Sequence, residues 1–128
     1  MANQLNAYSV ELLAEIEEID IESGASATEP AVRRTIWVVV VGGDVYVRSV
    51  TGERGQWYQA MLARPDGFVY AGDATLPIHA VHVTDPAVIA QVSAEYLHKY
   101  ADSEWAPPMA KPKTLNTTLR LEPRGNET

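Results

Sequence analysis

Residues 36–50 read Ile36-Trp37-Val38-Val39-Val40-Val41, then Gly42-Gly43-Asp44, then Val45-Tyr46-Val47-Arg48-Ser49-Val50. The first six are all apolar and mostly β-branched, which predicts a strand covered on both faces. The Gly-Gly-Asp triplet supplies the φ > 0 positions that a tight turn needs. Residues 45–50 then read as the return strand of a hairpin. The run Ile36–Val41 is also the longest apolar stretch in the chain. It falls far short of the roughly 20 residues of a membrane helix.

Outward from this hairpin the pattern alternates between helix and strand. On the N-terminal side, Ser9 is a plausible helix N-cap, with Leu12, Leu13, Ile16 and Ile19 at helical spacing. Glu11, Glu15, Glu18 and Glu22 occupy the opposite side of that helix. Paired carboxylates can do acid–base work, but a charged stripe opposite an apolar one is usually a solvated face. Residues 20–23 read as a short strand, and Gly24 to Pro30 as a loop.

On the C-terminal side, Thr51 to Gly55 is a loop. Trp57, Tyr58, Met61 and Leu62 predict a short helix ending at Pro65-Asp66-Gly67. Phe68–Ala71 and Leu76–Val83 read as strands around a Gly72-Asp73 turn. Asp85-Pro86 is a strong helix start, a capping carboxylate followed by proline at the first helical position. Val88, Ile89, Val92 and Tyr96 line that helix to about Tyr100. The proline-rich stretch from Trp105 to Pro112 reads as a loop. Leu115, Thr117, Leu119 and Leu121 alternate as a last strand, with a frayed tail after Pro123. Hairpins with intervening helices predict an α+β domain, one unit over residues 1–128. About six strands, several apolar on both faces, predict a small antiparallel barrel.

Composition excludes several classes of function. The chain has 128 residues and no cysteine, which removes disulfides, thiolate metal sites and a cysteine nucleophile. Residues 1–29 carry seven acids and no base, and the remaining acids and bases balance, so the net charge of −7 belongs to the N-terminal segment. An acidic chain with pI near 4.8 argues against nucleic-acid binding. The N-terminus does not read as a secretory signal, and the expectation is a soluble cytoplasmic protein with no membrane association. His79 and His82 lie three apart on one strand and point to opposite faces, so they do not jointly hold a metal. His98 sits in a last helical turn. Gly52-Glu53-Arg54-Gly55 lacks the Lys-Ser/Thr of a phosphate loop. Asn116 and Asn126 match the glycosylation sequon, which carries no meaning without secretion.

Arginines and hydroxyls gather near one end of the hairpin. Arg33 and Arg34 precede its first strand, Arg48 and Ser49 close its second, and Thr51, Arg54 and Gln56 lead into the short helix. Arginines, hydroxyls and a helix N-terminus suit a phosphate or carboxylate. The alternative is that these arginines solvate strand ends or pair with Glu53 and the acidic helix. Trp57 and Tyr58 read equally as core anchors or as a wall against a flat ring.

Taken together, Arg33-Arg34-Thr35-Ile36-Trp37, Tyr46-Val47-Arg48-Ser49, Gly55-Gln56-Trp57-Tyr58, Leu62-Ala63-Arg64-Pro65, Tyr96-Leu97-His98-Lys99-Tyr100 and Thr118-Leu119-Arg120-Leu121-Glu122-Pro123 resemble an uncharacterised bacterial family, domain of unknown function 2255, over roughly residues 10–124. That family is similar to the flavin-binding split β-barrels, including the deazaflavin-dependent nitroreductases. The resemblance implies a split barrel, often a homodimer, with FMN or a deazaflavin at the barrel edge and an oxidoreductase activity. Its cofactor site would combine Arg33, Arg48 and Arg54 as an anion clamp, Thr35, Ser49 and Thr51 as hydroxyl donors, and Trp57 and Tyr58 as an aromatic wall. Tyr46 and Tyr58 are the candidate proton donors. Two departures leave an alternative open: Gly24–Pro30 contains no base, and Ile36 stands where a proline often follows. The alternative is a cofactor-free barrel that binds or shapes a small metabolite in an apolar pocket. A third reading is an interaction protein whose acidic helix is its partner surface.

Overall fold

The computed structural model describes residues 4–124; the Asn126 sequon and the last four residues of the expected frayed tail lie outside them. Arg124 itself is anchored, its N–H donating to the Pro77 carbonyl and its Nη2 to the Gly67 carbonyl. The helices are α1 (Ala7–Glu15), α2 (Gln56–Ala63), α3 (Pro86–Lys99) and the single turn α4 (Pro112–Leu115). The strands are β1 (Glu18–Glu22), β2 (Arg33–Trp37), β3 (Val39–Val41), β4 (Asp44–Val47), β5 (Asp66–Ala71), β6 (Ala74–His82) and β7 (Leu119–Pro123). Short 3₁₀ turns cover Gly52–Arg54 and Pro107–Ala110.

All strand pairs are antiparallel, in the order β2-β1-β5-β6-β7-β4-β3. β2 and β3 stand at opposite edges of this sheet, yet only Val38 separates them in the chain. The two edges are therefore pieces of one strand, and the sheet curls into a nearly closed barrel that leaves little edge to pair with another chain. The fold is an α+β split barrel with helices packed outside it.

The apolar run of residues 36–41 is thus two strands, not one. Its interruption has a specific cause. The Val38 N–H donates to the Tyr100 hydroxyl at 3.1 Å, and the Val38 carbonyl accepts from Lys99 Nζ at 2.6 Å. Side chains at the end of α3 satisfy a backbone that has left the ladder, so the break leaves no buried polar group unpaired. The expected cover on both faces is present within the single chain. Ile36, Val38 and Val40 join the barrel core with Leu13, Ile21, Val47, Val69, Ile78 and Leu121. Trp37, Val39 and Val41 join a second cluster under α3, where Trp37 stacks on Tyr100 with ring centroids 3.9 Å apart.

Several boundaries differ from the sequence expectation. Asn6, not Ser9, caps α1, and its side chain accepts the Ser9 N–H at 2.9 Å. Ile19 belongs to β1, where Ile19 and Ile21 alternate inward against Asp20 and Glu22; its helical spacing from Ile16 is coincidental. β4 ends at Val47, before Arg48-Ser49-Val50, because the Ser49 N–H donates instead to Thr117 Oγ1 at 3.0 Å. Leu115 ends α4, and Thr117 precedes β7. The segment from Trp105 to Pro112 is not all loop, since prolines open both a 3₁₀ turn and α4. The Asp85 cap stands as expected, Oδ1 accepting the Ala87 N–H at 2.9 Å with Pro86 at the first helical position.

Candidate functional site

The split in the barrel makes a cleft. β3 pairs with β4 in the register Val39↔Tyr46 and Val41↔Asp44. Continued, that register would set Trp37 against Arg48. Beyond Val38, however, β2 swings away to pair with β1, with Thr35 opposite Asp20 and Arg34 opposite Ile21. The gap between β2 and the segment after β4 is a cleft of about 540 Å³, in the size range of small-molecule sites. One wall is Arg34–Trp37 with Glu18, another Arg48, Val50 and Thr51, and the N-terminus of α2 and the Trp105–Met109 segment close it. All three tryptophans of the chain, Trp37, Trp57 and Trp105, line it.

The sequence-predicted residues divide. Thr35, Arg48, Thr51 and Trp57 line the cleft. Thr35 turns its hydroxyl to Asp20 Oδ1 at 2.6 Å. Arg33 lies outside the cleft: Nε donates to Asp20 Oδ2 at 2.9 Å and the guanidinium covers the Tyr70 ring at 3.8 Å. The Thr35 hydroxyl and the Arg33 guanidinium together hold the Asp20 carboxyl below its usual range. Ser49 is fully buried, its Oγ 3.2 Å from Thr51 Oγ1. Arg54 sits in an adjoining groove. Tyr58 is buried with its hydroxyl on the Asn116 carbonyl at 3.1 Å, and Tyr46 is buried in the cluster under α3. Burial raises both phenols above their ordinary pKa, and neither lines the cleft.

Arg48 is 1% exposed and is held by neutral acceptors. Nε donates to Thr118 Oγ1 (2.9 Å), Nη1 to Ser93 Oγ (2.7 Å) and the Met109 carbonyl (3.0 Å), and Nη2 to the Ile89 carbonyl (2.8 Å). It ties α3, the 3₁₀ turn at Pro107 and Thr118, just before β7, to the cleft wall, and burial lowers its pKa. The exposed cation of the cleft is Arg34, whose Nη2 donates to Gln56 Oε1 and Nη1 to the Arg33 carbonyl at 2.8 Å. Gly55 caps α2 without a side-chain acceptor, so the first-turn N–H groups have no intrahelical partner. A Cβ on Gly55 would collide with Ser49 Oγ and crowd Thr51 Oγ1. Only glycine lets this helix end close over those two hydroxyls. The result is an anion-binding corner of Arg34, Thr51 and open N–H groups beside an aromatic wall.

The sequence reading names Arg34 and Gln56 in the gathering of arginines and hydroxyls but leaves both out of the clamp, and it puts neither Trp37, Met109 nor Trp105 in a site. Arg34 shares strand parity with Ile36, a signal that an unbroken apolar run conceals. Trp105 arrives from an irregular segment that carries no periodicity. His79 is outside the cleft, Nδ1 2.6 Å from Asp66 Oδ1, and His82 contacts the Asn116 carbonyl. Among the described residues, no cluster of three or more His, Cys, Asp or Glu could hold a metal.

The chain matches, over residues 9–121, the family described as an uncharacterized protein conserved in bacteria (DUF2255). It belongs to that family. No protein of curated function matches the sequence. Among solved structures, the chain is similar to the heme storage protein HutZ from Vibrio cholerae, with a TM-score of 0.70, 13% identity, and 96% of this chain and 92% of that chain covered. It is also similar to an F420-H2-dependent reductase, FDR-A, with a TM-score of 0.61, 14% identity, and 82% and 93% covered. Campylobacter jejuni ChuZ superposes with a TM-score of 0.69 at 11% identity over 94% of this chain, which spans 55% of the length of ChuZ. These likenesses establish the split-barrel fold of this family member. No helix among its described residues is long and apolar enough to cross a membrane.

Proposed function

We propose that this family member binds FMN or a deazaflavin in the cleft and acts as a small oxidoreductase. The observation that carries the reading is the meeting in one cleft of all three tryptophans, the open end of α2, and Arg34, an exposed guanidinium held by no carboxylate. A flat ring stacks on indoles, and a phosphate suits a guanidinium beside free N–H groups. A bound flavin or deazaflavin would supply hydride chemistry. The chain's own residues then bind and orient: Arg34, Thr51 and the α2 N–H groups take the phosphate, and Trp37, Trp57 and Trp105 flank the ring and exclude water. Arg48 fixes the wall they stand on.

The test is the visible spectrum of the freshly purified protein, followed by titration with riboflavin, FMN and F420 while tryptophan emission is read. Quenching, with FMN tighter than riboflavin by about tenfold, is the expected result. Colourless protein with emission unchanged by all three ligands overturns it. A specific observation favours the cofactor-free alternative: Arg48 is buried on neutral acceptors and Arg33 is paired with Asp20, which leaves Arg34, itself bonded to Gln56 and the Arg33 carbonyl, as the one exposed arginine at the phosphate corner. Thermal shift with apolar metabolites, after a failed flavin titration, would establish that alternative. We further propose a homodimer, supported by Val50 and Trp105, which stand 44% and 63% exposed beside the cleft. Light scattering at tens of micromolar should give twice the 14.0 kDa chain mass, and a monomer overturns it.

A further inference from the structure

We infer that the ligand carries a second anionic group, held outside the main cleft by Arg54 and Lys113 in the groove between the Gly52–Arg54 turn and α4. This rests on the ring-binding reading above and extends it. The groove measures about 390 Å³ and is lined by Thr51, Gly52, Glu53, Arg54, Pro112, Lys113 and Asn116. Thr51 lines the main cleft as well, so the two openings adjoin at that residue. A ligand whose phosphate sits at Thr51 and Arg34 would have the groove on the other side of Thr51, within reach of an anionic extension.

The charges of the groove are free to act. Among the described residues, the ion pairs are Arg33–Asp20, His79–Asp66, His98–Glu95 and Arg120–Glu122, and neither Arg54 nor Lys113 takes part in one. Glu53 is the one acid in the lining, and its Oε2 is engaged by Asn116 Nδ2 at 2.9 Å. Two cations against one acid make this groove positive on a chain of net charge −7, a local potential that selects anions. The close approach that forms the groove also depends on a particular residue. Gly52 has φ +84°, and a Cβ there would lie 3.1 Å from the Lys113 carbonyl oxygen. Only glycine both accepts that backbone and lets the turn seat against α4. The class of ligand is therefore a flat ring with a first phosphate and a further anionic extension, a second phosphate or a carboxylate tail.

The experiment compares FMN, which has one phosphate, with FAD and F420, which carry a diphosphate and an anionic tail. Dissociation constants are read from tryptophan quenching in the wild type and in the double variant Arg54→Ala, Lys113→Ala. Both side chains are exposed, so truncation leaves the fold intact, and an unchanged melting temperature confirms it. The expected result is that FAD or F420 loses at least tenfold in affinity in the double variant, while FMN is unchanged. Equal affinities in the two proteins for every ligand that binds overturn the second site and leave the ring reading standing. Failure of FMN, FAD and F420 alike to bind the wild type overturns the ring reading and this extension with it.

Discussion

Consecutive side chains on a strand leave opposite faces, and at the start of β2 this separates two adjacent arginines. Arg33 pairs with Asp20 and covers Tyr70 on the outer face of the barrel, whereas Arg34 lines the cleft. Arg34→Ala should therefore weaken FMN by about tenfold, the worth of one charge-assisted contact. Arg33→Ala should leave that affinity unchanged and cost at most about 1 kcal/mol, as an exposed pair does. Arg48 behaves in a third way. Its removal strands Ser93, Thr118 and two carbonyls in a buried site, so Arg48→Ala should cost about 3 kcal/mol or more in stability. Calorimetric melts and FMN titrations of the three variants separate these roles. Equal effects of Arg33→Ala and Arg34→Ala on affinity would contradict the strand parity.

At the scale of elements, the sequence shows what local chemistry writes and hides what distant residues impose. The helix at Asp85 was legible because its cap and its proline are neighbours in the chain. Asp85→Ala should cost about 1 kcal/mol with no change in ligand affinity, since Asp85 lines neither the cleft nor the groove. A loss of affinity at constant melting temperature would refute that. The hairpin of residues 39–47 was legible for the same reason, in Gly42 and Gly43 with φ +59° and +85°. The interruption at Val38 was not, because the groups that satisfy its backbone are Lys99 and Tyr100, some sixty positions later. That hidden break opens the cleft. The sequence reading accordingly named four residues that line the cleft, Thr35, Arg48, Thr51 and Trp57, but extended the hairpin register past the point where β2 departs and so chose Arg33, which lies outside the cleft, over Arg34, which lines it.

For the whole molecule, the barrel closes through one residue, and two titratable side chains hold it. Lys99 Nζ donates to the Leu13 and Val38 carbonyls, and the Tyr100 hydroxyl accepts the Val38 N–H. Burial lowers Lys99 from 10.5 to about 8 and raises Tyr100 from 10.0 to about 12. Below pH 8 lysine is protonated in the folded and unfolded chains alike, and its contribution is flat. Between about 8 and 10.5 the folded chain has lost that proton while the unfolded chain keeps it, so stability rises with pH. Above pH 10 the unfolded tyrosine ionises while folded Tyr100 does not, so stability falls. Tyr46, Tyr58 and Tyr96 are raised in the same direction and deepen that fall without entering the lower window. The expected profile climbs shallowly from pH 8, because Lys99 is only partly buried, and turns over near pH 10. Lys99→Met should abolish the climb and keep the fall, since methionine fills the stem's space without a titrating group. Urea unfolding at half-unit pH steps measures both curves. A wild-type stability that already declines between pH 8 and 10, or a climb that survives Lys99→Met, would show that burial does not depress the Lys99 amine.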